Sequence, residues 1–152
     1  MVSASPSLSP GLALNKVGVA LSNQFAAALK PIGIRPSQYG VLRAVGARPG
    51  VSQQEIGAAM GLAPSWIMSI VDELEGSALL ERRPDPSDRR KHQMHLTSAG
   101  HTMLARADAI IGGLDAALLA AIGEAHREEF LRALQNVVTF LDLDAQVGSS
   151  PS

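Results

Sequence analysis

The 152-residue chain contains no cysteine and few aromatic residues, namely one Trp, one Tyr and three Phe. Without cysteine it cannot form a disulfide framework, a thiolate metal site, a cysteine nucleophile or a thiol redox switch. No apolar run reaches the roughly 18 residues that a membrane-spanning helix needs. What remains is a chain of 46% hydrophobic residues, rich in Ala and Leu, which favours helices packed through aliphatic side chains.

The chain also lacks a strong excess of charge of either sign. Its formal net charge is −1 at pH 7, but its positive charge is concentrated between residues 79 and 97. Five basic and three acidic residues give this segment a charge of +2, which leaves −3 for the rest of the chain. A local cluster of basic residues is typical of a surface that contacts phosphate, so the segment is a candidate nucleic-acid contact.

Both ends of the sequence are rich in small and turn-forming residues. Residues 1–11 lack a basic start followed by an apolar stretch, so they do not resemble a signal peptide. We expect residues 1–11 and 144–152 to be flexible tails. We expect the protein itself to be cytoplasmic, without a membrane contact.

Hydrophobic periodicity predicts helices next to both tails. Apolar residues at three- and four-residue steps predict a first helix over residues 12–30. Thr97 is expected to cap a long helix over residues 98–119. After a break at Gly123, a last amphipathic helix is predicted to reach about Leu143.

Between these helices the sequence has the pattern of a helix-turn-helix. A helix that begins at Pro36 is expected to be stopped by Gly46 and the Pro49-Gly50 pair. Residues 52–55 read Ser-Gln-Gln-Glu, which is the form of a capping box at the start of a short helix. A tight turn at Gly61 separates this helix from another over residues 64–75, and two short helices joined in this way are typical of a helix-turn-helix.

A charged β-hairpin is predicted directly after the helix-turn-helix. Pro84 and Pro86 exclude a helix in the middle of the segment, and apolar residues alternate with polar ones toward Leu96. The sequence therefore predicts a mainly α fold with a small β-hairpin wing, organised as a winged helix-turn-helix. The second short helix can enter a major groove of DNA while the hairpin places arginine in the neighbouring minor groove.

The tip of the hairpin carries the most specific motif of the sequence. Residues 85–91 read Asp-Pro-Ser-Asp-Arg-Arg-Lys, and Leu96 and Thr97 follow. This spacing, between a helix-turn-helix and a long helix, resembles the wing of the multiple antibiotic resistance regulator (MarR) family. The resemblance covers roughly residues 12–143. It implies a homodimeric transcriptional regulator that binds double-stranded DNA, commonly a repressor that a small aromatic or phenolic ligand releases.

The resemblance also implies a division of the chain into functional segments. Residues 12–33 and 98–143 would be dimerisation helices, and residues 34–97 would be the winged helix-turn-helix DNA-binding domain. A two-fold dimer of such domains is expected to read a pseudo-palindromic operator with half-sites roughly 10 base pairs apart.

Roles in the wing can be carried over from the motif. Arg90 matches the family's arginine that enters the minor groove, and Asp88 matches the acidic residue that orients it. Arg89 and Lys91 would assist at phosphates. A solvated charged loop without a partner is the alternative interpretation of these residues.

The helix that begins at Pro64 would be the recognition helix. Its side chains expected to contact DNA are Ser65, Trp66, Met68 and Ser69. The hydroxyls can hydrogen-bond bases or phosphates, and the two apolar side chains can contact thymine methyl groups, although Trp66 could instead pack in the core. The family usually has a basic residue on this face.

Six further positions depart from the family or are placed only by analogy. Asp72 and Glu73 on the recognition helix are expected to repel phosphate. Ala78 stands where the family usually has glycine, which predicts a slightly strained turn before the first wing strand. The candidate ligand-binding residues, between the dimerisation helices and the winged domain, are Phe25, Tyr39 and Arg43, each of which could equally be a core or surface residue.

The four histidines do not predict a metal site. His92 and His95 are three apart on a predicted strand, so they point to opposite faces, and His101 and His126 belong to separate helices. No phosphate-binding glycine loop, pair of catalytic carboxylates or Ser-His-Asp order stands out. We therefore predict no enzyme activity, no cofactor and no bound metal.

Two other functions stay open. An acidic recognition helix also suits a winged-helix module that binds another protein, and a metal-sensing regulator is the third class. DNA binding predicts an affinity that falls steeply with salt, which a protein-binding module need not show. Zinc-dependent stability would identify the metal sensor.

Overall fold

A computed structural model describes residues 9–141. These residues form six α-helices, two short 3₁₀ helices and one two-stranded antiparallel sheet, as predicted for a mainly α fold with a hairpin. The tails predicted over residues 1–8 and 144–152, and the helix end predicted at Leu143, lie outside the described residues. In chain order the elements are α1 (Pro10–Leu29), α2 (Pro36–Ala47), α3 (Gln53–Met60), α4 (Pro64–Gly76), β1 (Leu80–Pro84), β2 (His92–Leu96), α5 (Ser98–Ile122) and α6 (Arg127–Phe140).

The first helix starts earlier and ends sooner than predicted. It begins at Pro10, so the tail predicted over residues 1–11 is wrong for its last two residues. Proline suits this place because its missing N–H would have no partner in the first turn anyway. The helix ends at Leu29, and a 3₁₀ turn follows that Gly33 closes with a φ of 80°.

Local caps begin and end the two short helices of the helix-turn-helix. The Ser52 hydroxyl accepts a hydrogen bond from the Glu55 amide at 3.2 Å, and the Glu55 carboxylate accepts one from the Ser52 amide at 2.8 Å. These bonds form the predicted capping box and hold the pKa of Glu55 below its usual range. Gly61 then turns the chain with a φ of 62°, and α4 begins at Pro64.

Helix α2 ends at Ala47, between the two predicted stop signals at Gly46 and Pro49-Gly50. Gly46 itself is still helical, and a Cβ at this position would lie 2.6 Å from a methyl group of Leu104 in α5. The glycine therefore permits a close approach of α2 and α5 instead of breaking the helix.

The hydrophobic core lies among α2, α3, α4 and the hairpin. As predicted, α4 turns one apolar face inward through Ile67, Ile70, Val71 and Leu74. Helix α5 reaches the same core near its middle, whereas α6 buries no residue at all. Other fully buried side chains of the core are Leu29, Leu42, Ile56, Leu80 and Met94.

Apolar side chains of α1 and α6 stay outside this core. Leu12 is 64% exposed and Phe140 is 86% exposed. The same holds for Leu14, Val17, Val19, Leu131, Leu134 and Leu141. No α-helix within residues 9–141 is long and apolar enough to span a membrane.

The wing sheet is tied to the helix-turn-helix by the segment before α3. Strands β1 and β2 pair antiparallel over their full lengths. The Met94 amide of β2 donates to the Val51 carbonyl, and the Gly50 amide donates to the Met94 carbonyl, both at 2.9 Å. Because β2 is bonded on both sides, its position relative to α3 is fixed.

The base of the wing is tied to α5. As predicted, Thr97 caps α5: its hydroxyl accepts from the Gly100 amide at 3.0 Å and donates to the Ala78 carbonyl at 2.6 Å. Ala78 has a φ of 56°, which confirms the strained turn expected there. A Cβ on Gly100 would lie 1.9 Å from the Leu79 carbonyl oxygen, so only glycine fits beneath the start of β1.

Candidate nucleic-acid interface

The tip of the wing is organised by Asp85. Its carboxylate accepts hydrogen bonds from the Ser87 amide at 2.7 Å, the Gln93 side chain at 3.1 Å and the Asp88 amide at 3.3 Å. These bonds, those from Ser87 first, lower the pKa of Asp85 to about 2. The carboxylate is therefore ionised at neutral pH and holds the tip in one conformation.

Asp88 holds Arg90 as the motif predicts for an orienting carboxylate. Its Oδ1 accepts from the backbone amide and from Nε of Arg90, each at 3.1 Å, and its Oδ2 accepts from Nη2 at 3.4 Å. These contacts also keep the pKa of Asp88 below its usual range. The Arg90 side chain is nevertheless 91% exposed, so a guanidinium held at one end projects into solvent.

The neighbours of Arg90 add to this positive tip. Arg89 and Lys91 are both exposed. No carboxylate of residues 9–141 forms a salt bridge with either of them. The tip thus offers three cations to an external anion, and within residues 9–141 only Arg90 of the three forms a salt bridge.

The candidate residues of the recognition helix share an outward surface of α4. Ser65 and Ser69 are exposed, Trp66 is 57% exposed and Met68 is 50% exposed. Packing of Trp66 in the core, the alternative for that residue, is therefore wrong. The core side of α4 is filled by its four aliphatic residues, which leaves no room there for an indole.

The carboxylates of α4 are not free to repel phosphate as expected. Asp72 and Glu75 both accept hydrogen bonds from the guanidinium of Arg82, a β1 residue whose side chain is only 21% exposed. Glu73 accepts from the guanidinium of Arg35 and, at 2.9 Å, from the side chain of Gln38. Each acidic group on the outer side of α4 is therefore paired with a cation from a neighbouring element.

Sequence reasoning missed the role of Arg82, although a sign of it was present. Residues i and i+2 of a strand share a face, so Arg82 lies on the side of Leu80, which is buried against the body of the domain. Arg83 lies on the other side and pairs with Glu81 instead. The role of Arg35 could not be anticipated, because its partner Glu73 is 38 residues away.

Of the three candidate ligand residues, Tyr39 and Arg43 contact each other, and none of the three lines the cavity nearby. The Tyr39 hydroxyl donates to Asp108 of α5 at 2.8 Å, and burial together with this bond raises the pKa of Tyr39. The guanidinium of Arg43 lies 5.8 Å from the Tyr39 ring centroid, and Phe25 packs against the core. A cavity of about 370 Å³ lies nearby, lined by Ala26, Lys30, Gly33, Ile34, Arg35 and Pro36.

The histidines do not meet at one point. Within residues 9–141, no three side chains of the His, Asp and Glu types come together in a group that could hold a metal ion. His92 pairs with Pro84 and His95 pairs with Glu81 in the strand register, which places the two on opposite faces of the hairpin, as predicted.

Comparison with known proteins matches this architecture to one family. The MarR family model matches residues 32–91, which span the helix-turn-helix and most of the wing. The HTH-type transcriptional repressor Rv2887 of Mycobacterium tuberculosis is 28% identical over 127 residues, which cover 84% of this chain and 91% of the repressor.

Solved structures agree with the sequence comparison. The transcriptional repressor CouR, bound to a 23-mer DNA duplex, is 31% identical with a TM-score of 0.78 over 85% of this chain and 92% of CouR. CouR of Rhodococcus jostii RHA1, bound to p-coumaroyl-CoA, is 32% identical with a TM-score of 0.76 over 89% and 95%. Rv2887 in complex with salicylic acid is 27% identical with a TM-score of 0.70 over 90% and 99%. The chain belongs to the MarR family of transcriptional regulators.

Proposed function

We propose that the chain is a sequence-specific DNA-binding repressor that works as a homodimer and is released by a small aromatic ligand. The observation that carries this proposal is the wing tip, where Asp88 holds the 91% exposed Arg90 beside two further exposed cations. An arginine fixed at its base and open at its end suits the narrow, negative minor groove. Helix α4 beside it has the dimensions that a major groove accepts.

The homodimer follows from the apolar side chains that α1 and α6 expose. Phe140 and Leu12 are mostly exposed to water, and a second copy that covered them would lower the free energy of the dimer. Two copies related by a two-fold axis present two wings and two α4 helices, which suits a pseudo-palindromic operator. Because the DNA of the cell is the partner, we place the protein in the cytoplasm.

The ligand part of the proposal rests on the relatives. CouR binds p-coumaroyl-CoA and Rv2887 binds salicylic acid, and both ligands contain an aromatic ring and an acidic group. In this chain, the cavity between the end of α1 and the start of α2 has apolar walls with Lys30 and Arg35 at its rim. An aromatic acid bound between the dimerisation helices and the winged domain would favour a dimer whose α4 helices no longer match the half-site spacing.

A salt series on operator DNA tests the DNA-binding part. Fragments of the source genome bound by the parent protein supply the operator, and its affinity is then measured for the parent and for Arg90→Ala. Because the dimer loses two minor-groove contacts, affinity should fall about tenfold or more. The salt slope, which is the slope of log affinity against log salt concentration, should become shallower by about two.

Arg127→Ala is the matched control for this experiment. It removes the same charge at the start of α6, which the 25-residue α5 separates from the wing by about 37 Å. This variant should bind the operator like the parent. If Arg90→Ala also binds like the parent at every salt concentration, the wing assignment is wrong, and a protein-binding module becomes the better interpretation.

Operator binding in the presence of ligands tests the release mechanism. Salicylic acid, p-coumaroyl-CoA and a panel of phenolic acids are added to the protein–operator complex, with unacylated coenzyme A as the control. A true effector should weaken operator affinity roughly 5- to 150-fold. Unchanged affinity across the whole panel would remove aromatic-ligand control from the proposal while leaving DNA binding intact.

A further inference from the structure

The outer surface of α4 combines exposed apolar side chains with fully paired carboxylates. Trp66 and Met68 are 57% and 50% exposed, and both lie in the N-terminal half of the helix. Around them, every acidic group of the helix already has a cation from Arg35 or Arg82. The surface is therefore neither basic, as phosphate contact requires, nor freely acidic.

The helical periodicity places these side chains in a definite order. At roughly 3.6 residues per turn, Ser65 and Ser69 lie one above the other, opposite the buried face of α4. Trp66 lies on the flank that also carries Glu73, toward α2, and Met68 lies on the opposite flank. Two hydroxyls in the centre are thus bordered by an apolar group on each side, all in the N-terminal half of the helix.

The N-terminal half of a recognition helix is the part that approaches base edges in a major groove. In that groove the apolar group of a base edge is the C5-methyl group of thymine. Met68 and the carbon surface of the Trp66 indole can gain from this methyl group, whereas the indole Nε1–H is a separate hydrogen-bond donor. Cations at the adjacent wing tip would supply the attraction to phosphate that α4 itself lacks.

From this arrangement we propose that α4 reads its operator through thymine methyl groups, which Trp66 and Met68 contact. Ser65 and Ser69 hydrogen-bond the bases or phosphates between them. The inference rests on the proposed DNA-binding function and adds the chemical group that determines specificity. It predicts half-sites that carry thymine at fixed positions, with little contribution from guanine, because no arginine or lysine of α4 is available to it.

Replacement of thymine by deoxyuridine tests the inference directly. The exchange removes only the methyl group and leaves every hydrogen-bonding group and the minor groove unchanged, so the wing contact is not affected. Each operator thymine is exchanged in turn, and affinity is measured for the parent protein, Trp66→Ala, Met68→Gln and Met68→Leu. Both positions are at least half exposed, so the three variants should fold, which circular dichroism checks.

At one or more thymines of each half-site, the parent should lose about fourfold in affinity for each methyl group removed. Trp66→Ala and Met68→Gln should lose this discrimination at different thymines, whereas Met68→Leu should keep it. The salt slope should stay the same in all three variants, because no phosphate contact changes.

Two results would overturn the inference. The first is equal affinity of the parent protein for the thymine and deoxyuridine operators. The second is that Trp66→Ala and Met68→Gln still distinguish these operators as strongly as the parent does. If DNA binding still depends on Arg90 in these cases, the proposed function stands and only the methyl readout is lost. If no operator binding depends on Arg90, both proposals fail, and the exposed apolar pair belongs to a protein contact.

Discussion

The wing tip and the outer surface of α4 lie side by side but differ in how their charges are arranged. At the wing tip, Arg89, Arg90 and Lys91 are exposed, and Asp88 restrains only one of them. On α4, three carboxylates are exposed in part but each is held by a guanidinium from a neighbouring element. Within the described residues the wing tip therefore carries cations without a salt-bridge partner, whereas on α4 three carboxylates share the two guanidinium groups of Arg35 and Arg82.

Electrostatic attraction and base recognition therefore belong to separate surfaces of this chain. Free cations bind phosphate and release counterions, so they determine affinity and its dependence on salt. Hydroxyl and apolar groups release no counterions, so they determine sequence preference. Arg82 joins the two surfaces, because it extends from the wing strand to two carboxylates of α4.

The largest effect is expected from Gly100→Ala, which acts on the base of the wing. The added Cβ would meet the Leu79 carbonyl oxygen at 1.9 Å, and neither backbone can move without displacing β1. The free energy of unfolding should fall by about 1–3 kcal/mol, which thermal denaturation at fixed protein concentration measures. Gly76→Ala is the control, since a Cβ there meets nothing within 4 Å and should leave stability equal or higher. Equal melting temperatures of the two variants would contradict a rigid wing base.

The next effect is expected from Arg82→Ala, which breaks the link between the surfaces. Asp72 and Glu75 would lose their shared cation and face the DNA as unpaired negative charges. Operator affinity should fall about tenfold, although Arg82 itself need not touch DNA. Arg83→Ala removes an arginine of the same strand that pairs only with Glu81, so its effect should be smaller. An equal loss in both variants, measured by operator titration, would show that only total charge matters.

A smaller effect is expected from Asp88→Ala. Arg90 would lose the carboxylate that orients it, but its charge would remain at the tip. Affinity should fall roughly threefold, less than for Arg90→Ala, because orientation rather than attraction is lost. The salt slope should stay close to that of the parent. A loss of affinity as large as that of Arg90→Ala would mean that Asp88 maintains the conformation of the whole wing tip and not only the orientation of Arg90.

The smallest effect on affinity is expected from Ser69→Ala. The hydroxyl lies on the outer surface of α4 and carries no charge, so its loss should leave the salt slope nearly unchanged. Sequence preference should nevertheless relax, with single-base operator variants binding more nearly alike by about 0.5 kcal/mol at one position, because a single hydroxyl forms one hydrogen bond. Binding of the parent and the variant to a set of single-base operator variants measures this. A shallower salt slope would place Ser69 at a phosphate instead.

Interactions between residues close in the chain were predictable. The capping box of Ser52 and Glu55 and the cap of Thr97 on α5 need only three-residue spacings, and the structure has both. The hairpin could be predicted because Pro84 and Pro86 would interrupt the interior of a helix. The buried face of α4 could be predicted from the three- and four-residue spacing of its apolar residues. Helix boundaries were less accurate, because Gly46 has its role in the packing against Leu104 and not in its own helix.

The winged helix-turn-helix pattern and the Asp-x-Arg wing tip can be read from the sequence alone, since both depend on neighbours a few residues apart. The exposure of Trp66 and the ion pairs of the α4 carboxylates depend on the packing of distant elements. The pairing of Arg35 with Glu73 joins residues 38 apart, and such a contact depends on how whole helices pack. Side-chain charge is thus a property of the sequence, but charge available to a partner is a property of the fold.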